Sequence, residues 1–179
     1  MFFSTKKFGH ELGLSSAFRQ WRADSHCRLI HGYALAVQFT FASHSLDVRN
    51  WVVDFGSLKS LKQRIQDTFD HKLLVAQDDP HLEKFQELDR LGLAEVVVVE
   101  ATGCEAFAKL ILESTEVWLH DAGYAPRCWV YSVEVAEHGA NSAIYVNPRN
   151  ELLHARSRNP NIPEDPLEWP PLEVGDQGM

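Results

Sequence analysis

Apolar and polar positions alternate over residues 33–41 (Tyr33, Ala34, Leu35, Ala36, Val37, Gln38, Phe39, Thr40, Phe41), which predicts a half-buried strand. Residues 51–55 (Trp51, Val52, Val53, Asp54, Phe55) read as a short second strand, with the polar stretch from His44 to Asn50 as the turn between them. The period then changes. Leu58, Leu61, Ile65 and Phe69 recur at helical spacing and predict an amphipathic helix over 57–69, with His71 just past its end. Leu82, Phe85, Leu88 and Leu91 give a weaker helix over 80–91, closed by Gly92. The β-branched run from Glu95 to Glu100 predicts a buried strand. Thr102-Gly103-Cys104-Glu105 carries the T-x-x-E pattern of a capping box and opens a helix with the stripe Phe107, Leu110, Ile111, Ser114 and Trp118, ended by Gly123. Residues 128–136 and 142–146 are the last two predicted strands, joined by a turn over 138–141. From Pro148 the periodicity is lost and Pro160, Pro163, Pro166, Pro170 and Pro171 crowd the chain. The reading is therefore one domain over 1–147 and a Pro-rich extended tail over 148–179, disordered or lying on a neighbouring subunit. Strands, then helices, then strands make a layered α+β domain.

Composition narrows the function classes. The chain has 179 residues, 45% apolar and 23% charged, with a net charge of −8 that argues against nucleic acid as a partner. No apolar run approaches the roughly 20 residues that span a bilayer. Residues 1–7 lack an apolar stretch after their charges, so no signal peptide is expected. Three widely spaced cysteines, Cys27, Cys104 and Cys128, do not make a disulfide framework and point to a reducing cytoplasm. The charge is uneven: Lys6, Lys7, Arg19, Arg22 and Arg28 face only Glu11 and Asp24 in the first 33 residues. Such a segment suits a small anionic ligand or is simply a solvated basic face.

Candidate chemistry lies at three places. Cys27 stands among His26, Arg28 and His31 just before the first strand; a thiolate there can serve as base or nucleophile if positive charge lowers its pKa, whereas a cysteine packed as a small hydrophobe would be inert. Asp70-His71 offers a carboxylate-oriented imidazole, a dipeptide also common at helix ends. Glu137, eight residues before Tyr145, is a carboxylate late in a strand.

The joint order of these pieces is more specific than any one. Cys-x-x-x-His-Gly before a strand, Val52 to Lys59 with its Val-Val-Asp-Phe start, Asp70-His71, the Thr102–Glu105 helix start and Glu137 with Tyr145 together resemble the 6-pyruvoyl-tetrahydropterin synthase and 6-carboxytetrahydropterin synthase family over residues 12–147. The resemblance implies a T-fold, an antiparallel sheet with helices packed on one face, whose subunits join sheets into an oligomeric barrel, usually a hexamer, with active sites at subunit interfaces. It implies a pterin triphosphate substrate, 7,8-dihydroneopterin triphosphate. Cys27 matches the catalytic cysteine, Asp70 and His71 the acid/base pair, and Glu137 the glutamate that holds the pterin edge. The short Cys-x3-His spacing is similar to the 6-carboxytetrahydropterin branch, which releases acetaldehyde and triphosphate on the queuosine route. Glu105 aligns with a family glutamate beside the ligand, although the capping box accounts for it without one.

The same resemblance implies zinc held by three histidines. Here those positions are Phe18, His31 and Tyr33, and His31 alone carries an imidazole. Three alternatives stand. His10 or His26 supplies substitute ligands; or the chain works without metal, Arg19 or Arg22 stabilising the oxyanion; or the pterin pocket is kept and the reaction altered or lost.

Overall fold

The computed structural model describes residues 1–159 and Asn161. The alternation over 33–41 belongs to a longer strand, β3 (His31–Ser43), about which the sheet is organised. Its first half pairs antiparallel with β2 (Leu14–Phe18), setting Phe18 opposite His31 and Ser16 opposite Tyr33. Its second half pairs with β1 (Phe2–Phe8) on the same side. Along the other side runs β6 (Cys128–His138), which turns through Gly139 and Ala140 into β7 (Asn141–Val146). Beyond β2 lie β4 (Lys72–Ala76) and β5 (Val96–Val99), giving one seven-stranded sheet among the described residues.

The domain is α+β, as expected, but its sheet is mixed. β4 is parallel to both β2 and β5, where an all-antiparallel sheet was expected. For β4 and β5 the physical reason is α2 (Leu82–Arg90): a helix joining the two strands carries the chain back to the same end of the sheet, which imposes parallel pairing. Leu73, Leu74, Val75 and Ala76 are all buried, so β4 lacks the alternation by which a strand is recognised.

The remaining helices of this unit are α1 (Leu58–Phe69) and α3 (Cys104–Asp121), close to their predicted bounds. Leu58, Leu61, Ile65, Phe69, Phe107, Ile111 and Trp118 join Leu35, Val37, Phe39, Phe41, Val133 and Val135 in the main core. Phe107 meets both Phe18 and Phe69 edge-on, with ring centroids 5.1 and 5.4 Å apart. A second, smaller core forms where Phe85 packs on Leu73 and Val75. Leu73 and Val75 alternate with Leu74, which belongs to the main core, so α2 covers the opposite face of the sheet. The helices are thus not all on one face.

Residues 51–55 are not a strand. Val52 and Val53 are buried, yet the carbonyls of Trp51 and Val52 accept from the Arg127 guanidinium (3.2 and 2.9 Å) in place of a neighbouring strand. The capping box does not form either. Thr102 Oγ1 donates to the Arg19 carbonyl at 2.7 Å, and Gly103, at φ +110°, occupies the N-cap of α3. A Cβ on Gly103 would lie 2.3 Å from Gln20 Nε2 in a conformation that L-residues avoid. Gly103→Ala is therefore expected to cost about 1–3 kcal/mol; an unchanged chemical-denaturation midpoint would show that this turn relaxes freely.

The chain divides after Asn147 into two units. In the second, Asn150–Arg158 form a helix, α4, where an extended tail was expected. Pro160 and the rest of that expected tail, from 162 on, lie outside the described residues. No helix of the described residues is long and apolar enough to cross a membrane.

Candidate active site

The site begins where β2 and β3 meet. Because Phe18 pairs with His31, and Tyr33 lies two residues on along the same face, three rings converge. Centroid separations are 4.9 Å for Phe18–His31, 5.8 Å for His31–Tyr33 and 6.3 Å for Phe18–Tyr33. These are the three positions that the resemblance assigns to zinc ligands, and they come together here as two aromatic rings and one imidazole. Phe18 is wholly buried against Phe107 and offers no lone pair, and a phenol is a poor zinc ligand unless deprotonated. Among the described residues no three His, Cys, Asp or Glu side chains are grouped so as to hold a metal ion. His10 and His26 therefore do not rebuild the set around His31; His10 Nδ1 is engaged with the Ala34 carbonyl at 2.6 Å. The residues present do not fit a three-histidine zinc.

Glu137, near the end of β6, lies beside this cluster. Its charge chiefly, with burial and then Cys27 and Cys104 adding to it, pushes the Tyr33 phenol above its ordinary range. Burial, followed by Glu137 and Glu105, pushes the Cys104 thiol up to about 12. Tyr33, Glu137, Cys27 and the start of α3 thus share one electrostatic neighbourhood. Of the three cysteines, Cys104 and Cys128 are buried while Cys27 is half-buried in the 3₁₀ turn His26–Arg28, capped by Ser25 Oγ accepting from the Cys27 amide at 3.3 Å. Burial pushes Cys128 to about 12 as well, so neither it nor Cys104 carries thiolate near neutrality.

Asp70 and His71 follow α1. Asp70 caps that helix in extended conformation, and His71 adopts φ +57°, which turns the chain into β4. The imidazole Nδ1 is 2.8 Å from Asp70 Oδ1, which also accepts from the Ser15 amide at 3.2 Å. The His71 amide in turn donates to the Ser15 carbonyl at 2.7 Å. With Nδ1–H held by the carboxylate, Nε2 carries the free lone pair. The ring is 82% exposed and lines an open cleft of about 690 Å³ together with Gly32, Tyr33, Lys72 and Glu95. Tyr33 is the residue common to this cleft and to the Glu137–Cys27 neighbourhood.

The basic segment is largely spoken for. Arg19 forms a two-pronged pair with Asp79, and Arg22 pairs with Asp78 at 2.5 Å, so neither arginine replaces a metal as an oxyanion partner. Arg28, next to Cys27, reaches only the carbonyls of Asp24 and Ser25 among the described residues. Sequence reasoning did not single out Tyr33 except as a lost ligand; the signal available was its two-residue spacing from His31.

Comparison with known proteins bears on the family and the fold. Residues 9–148 match the family model described as 6-pyruvoyl tetrahydropterin synthase. A 6-carboxy-5,6,7,8-tetrahydropterin synthase of Rickettsia typhi is 37% identical over 59 residues, covering 32% of this chain and 43% of that protein. A protein of the same name from Bacillus subtilis is 29% identical over 102 residues, covering 57% of this chain and 59% of that one. The chain thus spans between about two fifths and three fifths of the length of these curated relatives. Among solved structures, a protein of Wolinella succinogenes superposes with a TM-score of 0.68 at 22% identity, covering 82% of this chain and 98% of its own. The 6-pyruvoyl tetrahydropterin synthase of Plasmodium falciparum does so with a TM-score of 0.57 at 12% identity, covering 81% and 98%. These likenesses establish the fold as a T-fold.

Proposed function

Because the chain belongs to the 6-pyruvoyl tetrahydropterin synthase family, we propose that it is a lyase of the 6-carboxytetrahydropterin synthase type. Its substrate is 7,8-dihydroneopterin triphosphate and its products are 6-carboxytetrahydropterin, acetaldehyde and triphosphate, on the route to queuosine. The names of the Rickettsia and Bacillus relatives support the branch. The observation that carries the chemistry is the Asp70–His71 pair at 2.8 Å, oriented from the far strand by Ser15 and opening on a cleft. Cys27 takes a proton from the substrate side chain, and His71 Nε2 moves protons to and from its oxygens. Glu137 accepts the two parallel N–H groups of the pterin edge. Arg28 meets the triphosphate.

The catalytic unit is a homo-oligomer, a hexamer in this reading. The edge strands β5 and β7 support it: Val98 on β5 and Ile144 and Val146 on β7 are 45%, 62% and 51% exposed, apolar side chains on strands with a side unpaired among the described residues. Three free thiols suit a reducing cytoplasm.

Glu137→Ala is expected to weaken pterin binding by about 10- to 150-fold, the range for losing hydrogen bonds to a charged group, without lowering thermal stability. Pterin fluorescence titration measures it, and unchanged affinity removes Glu137 from recognition. Acetaldehyde release from 7,8-dihydroneopterin triphosphate tests the reaction itself. Pterin binding without turnover would make the protein a binding module on the same fold.

A further inference from the structure

The cage at the β2–β3 junction has the shape of a metal site and the wrong atoms for one, and something must do its work. We propose that this site operates without zinc, and that the Tyr33 hydroxyl donates the hydrogen bond to the substrate side-chain oxygen that a metal would otherwise polarise. The inference rests on the pterin reading above and adds a residue to it.

Three observations carry it. First, the donor set is disabled from within the core: Phe18 is fully buried and clamped between His31 and Phe107, so no rotation brings another ligand into its place. Second, Tyr33 stands at a former ligand position yet is only half-buried, and lines the cleft that His71 also lines. His31 and His138 hold its ring at centroid distances of 5.8 and 6.0 Å, and no hydrogen bond engages its hydroxyl among the described residues. Third, the His138 ring, 6.0 Å from that of Tyr33, directly follows Glu137, the group placed on the pterin edge, in β6, so a pterin held there lies beside the phenol. A phenol keeps its proton at neutral pH and is a donor. A fixed donor aimed at a developing oxyanion does part of what a Lewis acid does, with no proton transferred.

The test uses two probes and needs no turnover. Neopterin carries the hydroxylated side chain and 6-methylpterin lacks it. Their affinities are measured by fluorescence for the wild-type protein and for Tyr33→Phe, each with and without a chelator. Wild type is expected to prefer neopterin by about 10-fold, the scale of one good hydrogen bond, with or without chelator. Tyr33→Phe, which keeps the ring packing, is expected to lose that preference and retain its affinity for 6-methylpterin. A neopterin preference that survives in Tyr33→Phe overturns the donor role. A preference abolished by the chelator, or one tightly held zinc per wild-type chain after dialysis against it, overturns the metal-free site. Binding of neither pterin overturns this inference together with the pterin reading, whereas equal binding of both probes by wild type and variant overturns Tyr33 alone.

Discussion

Cys27→Ala is expected to lower kcat by about 10²- to 10⁴-fold, the worth of a positioned proton-transfer group, while leaving the thermal midpoint nearly where it was. The asymmetry follows from where the thiol sits. Cys27 is half-buried in a 3₁₀ turn and takes no part in either hydrophobic core, so its loss opens no cavity. Cys128 is the opposite case: it is 1% exposed at the start of β6, inside the main core, with a thiol pushed up to about 12. Cys128→Ala should therefore cost stability and spare kcat. Acetaldehyde release and thermal melting on both variants separate the two roles. Cys27→Ala turning over at the wild-type rate would mean that the base lies elsewhere and that Cys27 only fills its turn.

How much of this was legible before folding depends on how local each signal is. The stripes Leu58–Leu61–Ile65–Phe69 and Phe107–Ile111–Trp118 state their helices within one segment, and α1 and α3 lie close to where they were predicted. β3 and the β6–β7 hairpin are equally local. β4 is not, because Leu73 to Ala76 is buried on both faces of the sheet, by α2 on one side and the main core on the other, which erases the alternation. β1, with Lys6 and Lys7 in succession, and β2, with two serines in five residues, look too polar to be strands until β3 supplies a partner. The site shows the same division. Asp70-His71 can be read as a dipeptide, but what fixes it is Ser15, 55 residues earlier. Thr102 resembles a helix cap until the Arg19 carbonyl, 83 residues away, takes its hydroxyl. The Phe18–His31–Tyr33 cage exists only through strand register.

The pair that locks this register should be the most expensive to break. Arg19, the residue after Phe18, donates Nε and Nη2 to the two oxygens of Asp79 at 2.7 and 2.6 Å. The Asp79 side chain is 1% exposed and that of Arg19 18%, and the guanidinium also lies over the Phe85 ring at 5.5 Å. Burial alone would raise the Asp79 carboxyl; the bonds from Arg19 and the His81 amide outweigh it and hold its pKa below the usual carboxylate range. Arg19→Ala strands that carboxylate and is expected to cost about 3–5 kcal/mol at neutral pH, as removal of one partner of a buried pair does. The pH dependence gives the cause away. With the folded pKa depressed, the wild-type contribution is complete above the unfolded value near 4 and is lost as pH falls through the folded value. In the variant the carboxyl has lost its partner and is raised by burial, so protonation relieves it at higher pH than in wild type. The gap between the two urea-denaturation free energies should therefore narrow as pH is lowered toward 4. A gap that stays constant with pH would assign the loss to the packing of the arginine stem on Phe85, and the anchor of β2 beside the cage would be apolar instead of ionic.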